Sequence, residues 1–260
     1  MTMTPPNADC TFLVASCDAY ADVLALFEAF FAKFWPACPF DRVLVTESPR
    51  ERLGLFTRQV ACGKGRNWSD MLVEALDTIT TPWVVLMMDD YFLSANVDTA
   101  HFMRRLEDAK RHEAAFLRLI PSPDTFNPFG ADTTLGAYRP NTAYCVSCQV
   151  SIWAKDFIRR IASQTTSAWE FERRGSYLCG DETRPMLVTP TREFPFIDAV
   201  HKGYWEKFAV KLCRDNGLPI DFSHRPTPPL SKRLRELAKA AVFSLFPADW
   251  IVRTQNAMSK

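Results

Sequence analysis

Asp89 and Asp90 stand side by side directly after the apolar run Trp83-Val84-Val85-Leu86-Met87-Met88. Adjacent carboxylates repel each other unless a cation, an arginine or a proton relieves them. A divalent cation bridging a diphosphate is one such relief: Mg²⁺ or Mn²⁺ takes one or two carboxylates and completes its shell with phosphate oxygens and water. The same pair also suits a cap for the following helix or a surface arginine partner. The other reactive residue types offer less. One CxxC, Cys145-Val146-Ser147-Cys148, has no second pair to complete a zinc site, and the eight cysteines read as reduced thiols, several of them core residues. The four histidines (His101, His112, His201, His224) are scattered and no GxSxG occurs, which argues against zinc or nucleophilic-serine chemistry.

To present Asp89 and Asp90 to a ligand, the run before them must be a buried strand, because ligands of open α/β sheets bind beyond the carboxyl ends of the strands. The flanking pattern agrees. Thr11 to Ser16 is a first buried strand that stops at Cys17-Asp18. Tyr20 to Phe34 repeats apolar residues at helical spacing until Pro36 and Pro39, and Arg42 to Thr46 is strand-like again. A polar, Arg-rich loop holding Gly63 and Gly65 leads to a helix from Asp70 to about Thr78, for which Ser69 is the expected cap. Beyond the acidic pair come a helix over 97–112, a strand over 115–120, a long loop over 121–140, a strand near 144–152 and a helix near 155–163. Strands alternating with helices predict a mostly parallel α/β sheet.

Composition narrows the function. The chain has 260 residues, 47% hydrophobic and 23% charged, with a net charge of +1, so it has material for a core and no global basis for binding nucleic acid. Its 9 glycines form neither GxGxxG nor GxxxxGK, which argues against a dinucleotide loop or a P-loop. The first ten residues carry no Lys or Arg and no apolar run, so no secretory signal is expected, and no apolar run approaches the ~20 residues that cross a bilayer. A cytoplasmic protein, peripheral at most, is the expectation.

Asp18-Ala19-Tyr20 after the first strand, Trp68-Ser69, and the segment from Trp83 through Asp89-Asp90-Tyr91 to Leu93 together resemble a nucleotide-sugar-dependent glycosyltransferase of the GT-A fold, over roughly residues 11 to 210. That resemblance implies a GT-A-like central sheet flanked by helices, a UDP-sugar or related donor, and Mn²⁺ or Mg²⁺. By it, Asp90 holds the metal with Asp89 nearer the donor sugar or ribose, and Ser16 and Asp18 lie in the segment that holds the nucleoside. Asp89-Asp90-Tyr91 is shorter than a full DxD. In Trp169-Glu170-Phe171-Glu172, the resemblance makes Glu172 the base that takes the acceptor proton and sets Trp169 and Glu170 on the acceptor side, with Trp169 stacking on a sugar. Glu193 and Asp198 are substitutes for that base. A helical turn would set Glu170 and Glu172 on different faces, and Glu172 equally suits pairing with Arg173 or Arg174. Lys64 and Lys202 would offset the leaving diphosphate, and His201 is similar to a late metal contact found in retaining enzymes, against the inverting displacement that Glu172 would serve.

From Leu230 to Phe246 apolar residues recur at helical spacing opposite Lys232, Arg233, Arg235 and Lys239, a basic amphipathic pattern. It suits an anionic membrane surface contacted through residues 225–250, or packing on protein. The chain is therefore expected to comprise a catalytic domain over 1–224 and a helical tail over 225–260. Its expected activity is sugar transfer to a glycan or lipid-linked acceptor in surface polysaccharide synthesis, at the cytoplasmic face of the inner membrane. The competing readings are a nucleotidyltransferase, for which a Gly- and Arg-rich loop after the first strand is lacking, and a non-catalytic, membrane-associated assembly factor of the same fold.

Overall fold

A computed structural model describes residues 7–122, 127–139, 142 and 144–229. The first half runs β1 (Cys10–Ala15), a 3₁₀ turn (Asp18–Tyr20), α1 (Ala21–Phe34), β2 (Asp41–Thr46), β3 (Arg58–Ala61), α2 (Trp68–Thr78), β4 (Trp83–Met88), β5 (Tyr91–Leu93), α3 (Thr99–Arg111) and β6 (Phe116–Arg118). Then come β7 (Pro128–Phe129), β8 (Asp132–Ala137), β9 (Ser151–Ala154), α4 (Lys155–Ala162), α5 (Ala168–Leu178), β10 (Met186–Val188), β11 (Phe196–Asp198), β12 (Val200–His201), β13 (Tyr204–Trp205) and α6 (Lys207–Asp215).

Among the described residues nine strands form one sheet in the order β3-β2-β1-β4-β9-β6-β10-β8-β7. Pairing is parallel from β3 to β4 and between β6 and β10, and antiparallel where β9 and β8 intervene. This is the mostly parallel α/β sheet that the alternation of strands and helices implied. The carboxyl ends of β2, β1, β4 and β6 consequently open at one edge, which the amino end of β9 shares. One face carries Phe12 of β1, whose ring lies 5.1–6.4 Å from those of Trp35, Phe40, Phe102, Phe31 and Phe194. On the other face Trp153 of β9 meets Phe116, Phe157 of α4 and Phe171 of α5 at 4.8–6.0 Å.

Local chemistry sets the element ends. α1 closes before Pro36, which has no N–H to continue a helix. α2 is capped by Asn67, whose side chain accepts the Asp70 N–H at 2.8 Å. Ser69, the expected cap, lies one residue inside the helix, fully buried and hydrogen-bonded to Thr165 Oγ1 at 2.9 Å. β3 occupies what reads as loop, because parallel pairing with β2 supplies the backbone partners that its polar residues do not advertise. The β7–β8 hairpin interrupts the expected long loop and turns through Gly130 at φ +61°. β9 is shorter than expected, since Tyr144 takes φ +56° and the chain bends until Ser151.

The chain divides into two compact units, residues 1–197 and 198–260. In the second, the β12–β13 hairpin turns through Lys202 and Gly203, both at positive φ, as two-residue hairpin loops favour. The amphipathic segment from Leu230 to Phe246 lies outside the described residues, and Arg225, just upstream of it, is buried. Among the described residues no helix is long and apolar enough to cross a membrane.

Candidate active site

The ladder between β1 and β4 builds the site. Ala15 pairs with Met88, and the ladder runs one residue further as the Asp89 N–H donates to the Ala15 carbonyl at 3.2 Å. On the other side of β1 the Ser16 N–H donates to the Val45 carbonyl at 3.0 Å. These backbone bonds set Ser16 beside Asp89, and Ser16 Oγ donates to Asp89 Oδ2 at 2.5 Å. Asp89 is only 4% exposed, so its charge depends on such donors. Asp90 is half-buried next to it.

Both carboxylates line a cleft of about 250 Å³ together with Ser16, Tyr20, Glu47, Arg66 and Trp68. Trp68 packs edge-on against Phe171 at 5.6 Å, and its buried Nε1–H has no hydrogen-bond partner. Among the described residues no three His, Cys, Asp or Glu side chains form a group that could hold a metal. One or two carboxylates are too few for a closed structural metal site, yet they are the hard-oxygen donor set of a Mg²⁺ or Mn²⁺ that shares phosphate oxygens. Two such carboxylates would fit a cation brought with a diphosphate, and Asp90 is the more exposed of the two.

Glu172 lies on α5, so the Trp169–Glu172 run is helical. Its Oε1 accepts the Cys148 N–H at 2.8 Å, just ahead of the amino end of β9. Burial and the negative charges of Glu172 and Asp90 together hold the Cys148 thiol well above its ordinary range, so both carboxylates act on one buried sulfur. Cys148 is the link between the acidic pair and α5 that the sequence did not disclose. Trp169 is 65% exposed. Glu170 is occupied with the helix start: Ser167 caps α5, while Glu170 accepts from the Thr166 N–H and hydroxyl at 2.7 Å and from Arg174 at 2.5 Å. The Arg174 and Thr166 bonds bring its pKa down to about 2.

The remaining expected residues divide. Asp18 is not among the residues lining the cleft; its carboxylate accepts from the Ser48 hydroxyl at 2.6 Å and the Ser48 N–H at 3.1 Å, and these bonds lower its pKa. Lys64, largely exposed between Gly63 and Gly65, lies 3.9 Å from Asp18 Oδ2, and Arg66 is the cation on the cleft wall. Glu193 is bound by Arg105 at 2.6 and 2.7 Å and by His101 at 2.7 Å. Asp198 is exposed at the start of the second unit, and His201 and Lys202 are exposed on that unit's hairpin. Glu47, missed in the sequence, follows the carboxyl end of β2 as Asp89 follows β4, so the strand-end rule would have found it.

No protein-family model and no curated protein matches the chain. Solved structures resemble it in outline. TarS of S. aureus superposes with a TM-score of 0.48 at 11% identity, over 72% of this chain and 36% of that one. The bifunctional IspDF from Campylobacter jejuni gives 0.40 at 11%, over 67% and 47%. An active-site mutant of LgtC gives 0.37 at 12%, over 58% and 59%. The chain thus spans about a third of TarS. Each of these scores lies below 0.5 and each identity at 11–12%, so the likenesses carry none of the chemistry of the site.

Proposed function

We propose that the chain transfers a sugar from a nucleotide-sugar donor, a UDP-sugar in the first instance, to a hydroxyl of a glycan or lipid-linked acceptor. The observation that carries this reading is the buried Asp89, fixed by Ser16 beside Asp90 on the wall of a cleft at the carboxyl ends of β1 and β4. Asp90, with Asp89 beside it, would hold a Mg²⁺ or Mn²⁺, which supplies positive charge to the departing diphosphate when bound. Arg66, paired with Glu74 at 3.3 Å, adds a cation on the same wall, and Trp68 offers its orphaned N–H.

Glu172 takes the proton from the acceptor hydroxyl. The new bond forms from that oxygen to the anomeric carbon as the bond to the diphosphate oxygen breaks, and the configuration inverts. The Cys148 N–H steadies the Glu172 carboxylate, and the exposed ring of Trp169 offers a flat apolar face to a sugar. The basic, amphipathic sequence of residues 225–250 supports a place on the anionic cytoplasmic face of the inner membrane, where a lipid-linked acceptor would be met.

The test is nucleotide release. Purified protein is incubated with UDP-, GDP-, CMP- and dTDP-sugars and Mn²⁺, and free nucleoside diphosphate or monophosphate is measured by chromatography. Slow hydrolysis of one donor class, lost in Asp90→Asn, is expected. Absence of release from every donor would favour the assembly-factor reading, and release of pyrophosphate from a nucleoside triphosphate would favour a nucleotidyltransferase.

A further inference from the structure

Arg118 ends β6 at the same sheet edge as the acidic pair. It is in register with Ser151 of β9, which is in register with Leu86 of β4, so two strand spacings of ~4.8 Å separate it from the strand that carries Asp89. Only 7% of Arg118 is exposed. Its Nη1 donates to Tyr138 Oη at 3.1 Å and to the Tyr144 carbonyl at 3.5 Å, both neutral, and its Nε–H has no partner. The other buried arginine of this sheet region, Arg105, is ion-paired to Glu193 and Asp108, whereas no ion pair among the described residues includes Arg118. A buried guanidinium with neutral partners is costly to keep, and its planar fork matches a carboxylate or phosphate.

The segment that touches Arg118 also reaches the proposed base. Tyr144 begins the run to Cys148, whose N–H holds Glu172. Within it Ser147 is 5% exposed and its buried hydroxyl has no hydrogen-bond partner. Arg118 thus lies across β9 from Asp89 and Asp90, on the side of Glu172, where an acceptor rather than a donor would approach.

We propose that Arg118 is an anion subsite for the acceptor and takes a carboxylate or phosphate oxygen of that molecule. This rests on the transferase reading, because Glu172 as base is what makes that side the acceptor side. An acidic glycan or a phosphate-bearing acceptor is therefore the substrate class, and a neutral one is disfavoured.

The full chain, saturated with UDP and Mn²⁺, is titrated calorimetrically with inorganic phosphate, with methyl β-glucuronide and with neutral methyl β-glucoside, alongside Arg118→Met. An anionic probe is expected to bind at least about tenfold more tightly than the glucoside, and the preference is expected to vanish in Arg118→Met. Phosphate alone would identify a phosphorylated acceptor, and glucuronide alone a uronic acid. Arg118→Met is expected to melt at or above the wild-type temperature, since methionine removes the uncompensated charge. Should that variant not fold, Arg118→Lys keeps the charge without the fork and is expected to weaken anion binding. Anion binding that survives either folded variant, or no anion binding by wild type, would overturn the subsite while nucleotide binding leaves the transferase reading standing. Loss of nucleotide binding itself would instead sink that reading and, with it, the assignment to an acceptor.

Discussion

Ser16 matters to the cleft because its hydroxyl donates to a buried carboxylate. Ser16→Ala leaves Asp89 short of that donor. We expect a loss of about 1–3 kcal/mol in urea unfolding and at least about a tenfold loss of nucleotide affinity. Glu172→Gln keeps the shape and the Cys148 contact but not the base; turnover is expected to fall about 10²- to 10⁴-fold in a transfer assay while donor affinity stays put. Glu182 provides a pH test away from the cleft. Hydrogen bonds from Arg184, seconded by Arg160, bring its pKa from 4.5 to about 2. A depressed folded value stabilises above the unfolded one, so the advantage of wild type over Glu182→Gln, about 2 kcal/mol, is expected in full above pH 4.5 and to disappear as pH falls through about 2. Urea midpoints of the two proteins between pH 2 and 7 check this. At this scale the acidic pair was legible because an apolar strand stopped at it. Glu170 carried a readable signal as well, since Ser167 followed three residues later by Glu170 is a capping box.

α5 positions the proposed base, and it can approach the 144–148 segment only because residue 175 is glycine. A Cβ there would lie 2.6 Å from Val146 Cγ1. Gly175→Ala is therefore expected to cost about 1–3 kcal/mol and to shift Glu172 with its helix, lowering turnover; Val146→Ala in the same chain is expected to recover part of both losses, as read by urea unfolding and by transfer rate. Strands buried on both faces, β1 and β4, were plain in the sequence from their unbroken apolar runs. The edge strand β3 and the β7–β8 hairpin were not, because β3 is polar and takes its backbone partners from β2, while the hairpin is joined to the sheet by β10, far along the chain. β9 read as longer than it is, since Tyr144 to Val150 is apolar enough for a strand while its backbone bends away.

Over the larger unit, the sheet is held between two aromatic clusters, and Phe12 is the centre of one. Phe12→Ala is expected to cost about 3–5 kcal/mol and to lower the melting temperature by roughly 10 °C, with nucleotide affinity unchanged below the transition, as calorimetry would record. The α/β layout was readable in advance because alternation of strand and helix is a whole-chain property. The contact of the Cys148 N–H with Glu172 was not, because it depends on β9 entering the sheet antiparallel between β4 and β6. Asp89 and Asp90 are proposed to form the diphosphate end of a donor site. The measurement that tests this most directly is calorimetric titration of wild type, Asp90→Asn and Glu172→Gln with UDP-sugar, with and without Mn²⁺. Mn²⁺-dependent binding by wild type and Glu172→Gln is expected, with its loss in Asp90→Asn; equal binding by Asp90→Asn, or none by wild type to this or the other nucleotide sugars, would contradict the donor-site assignment.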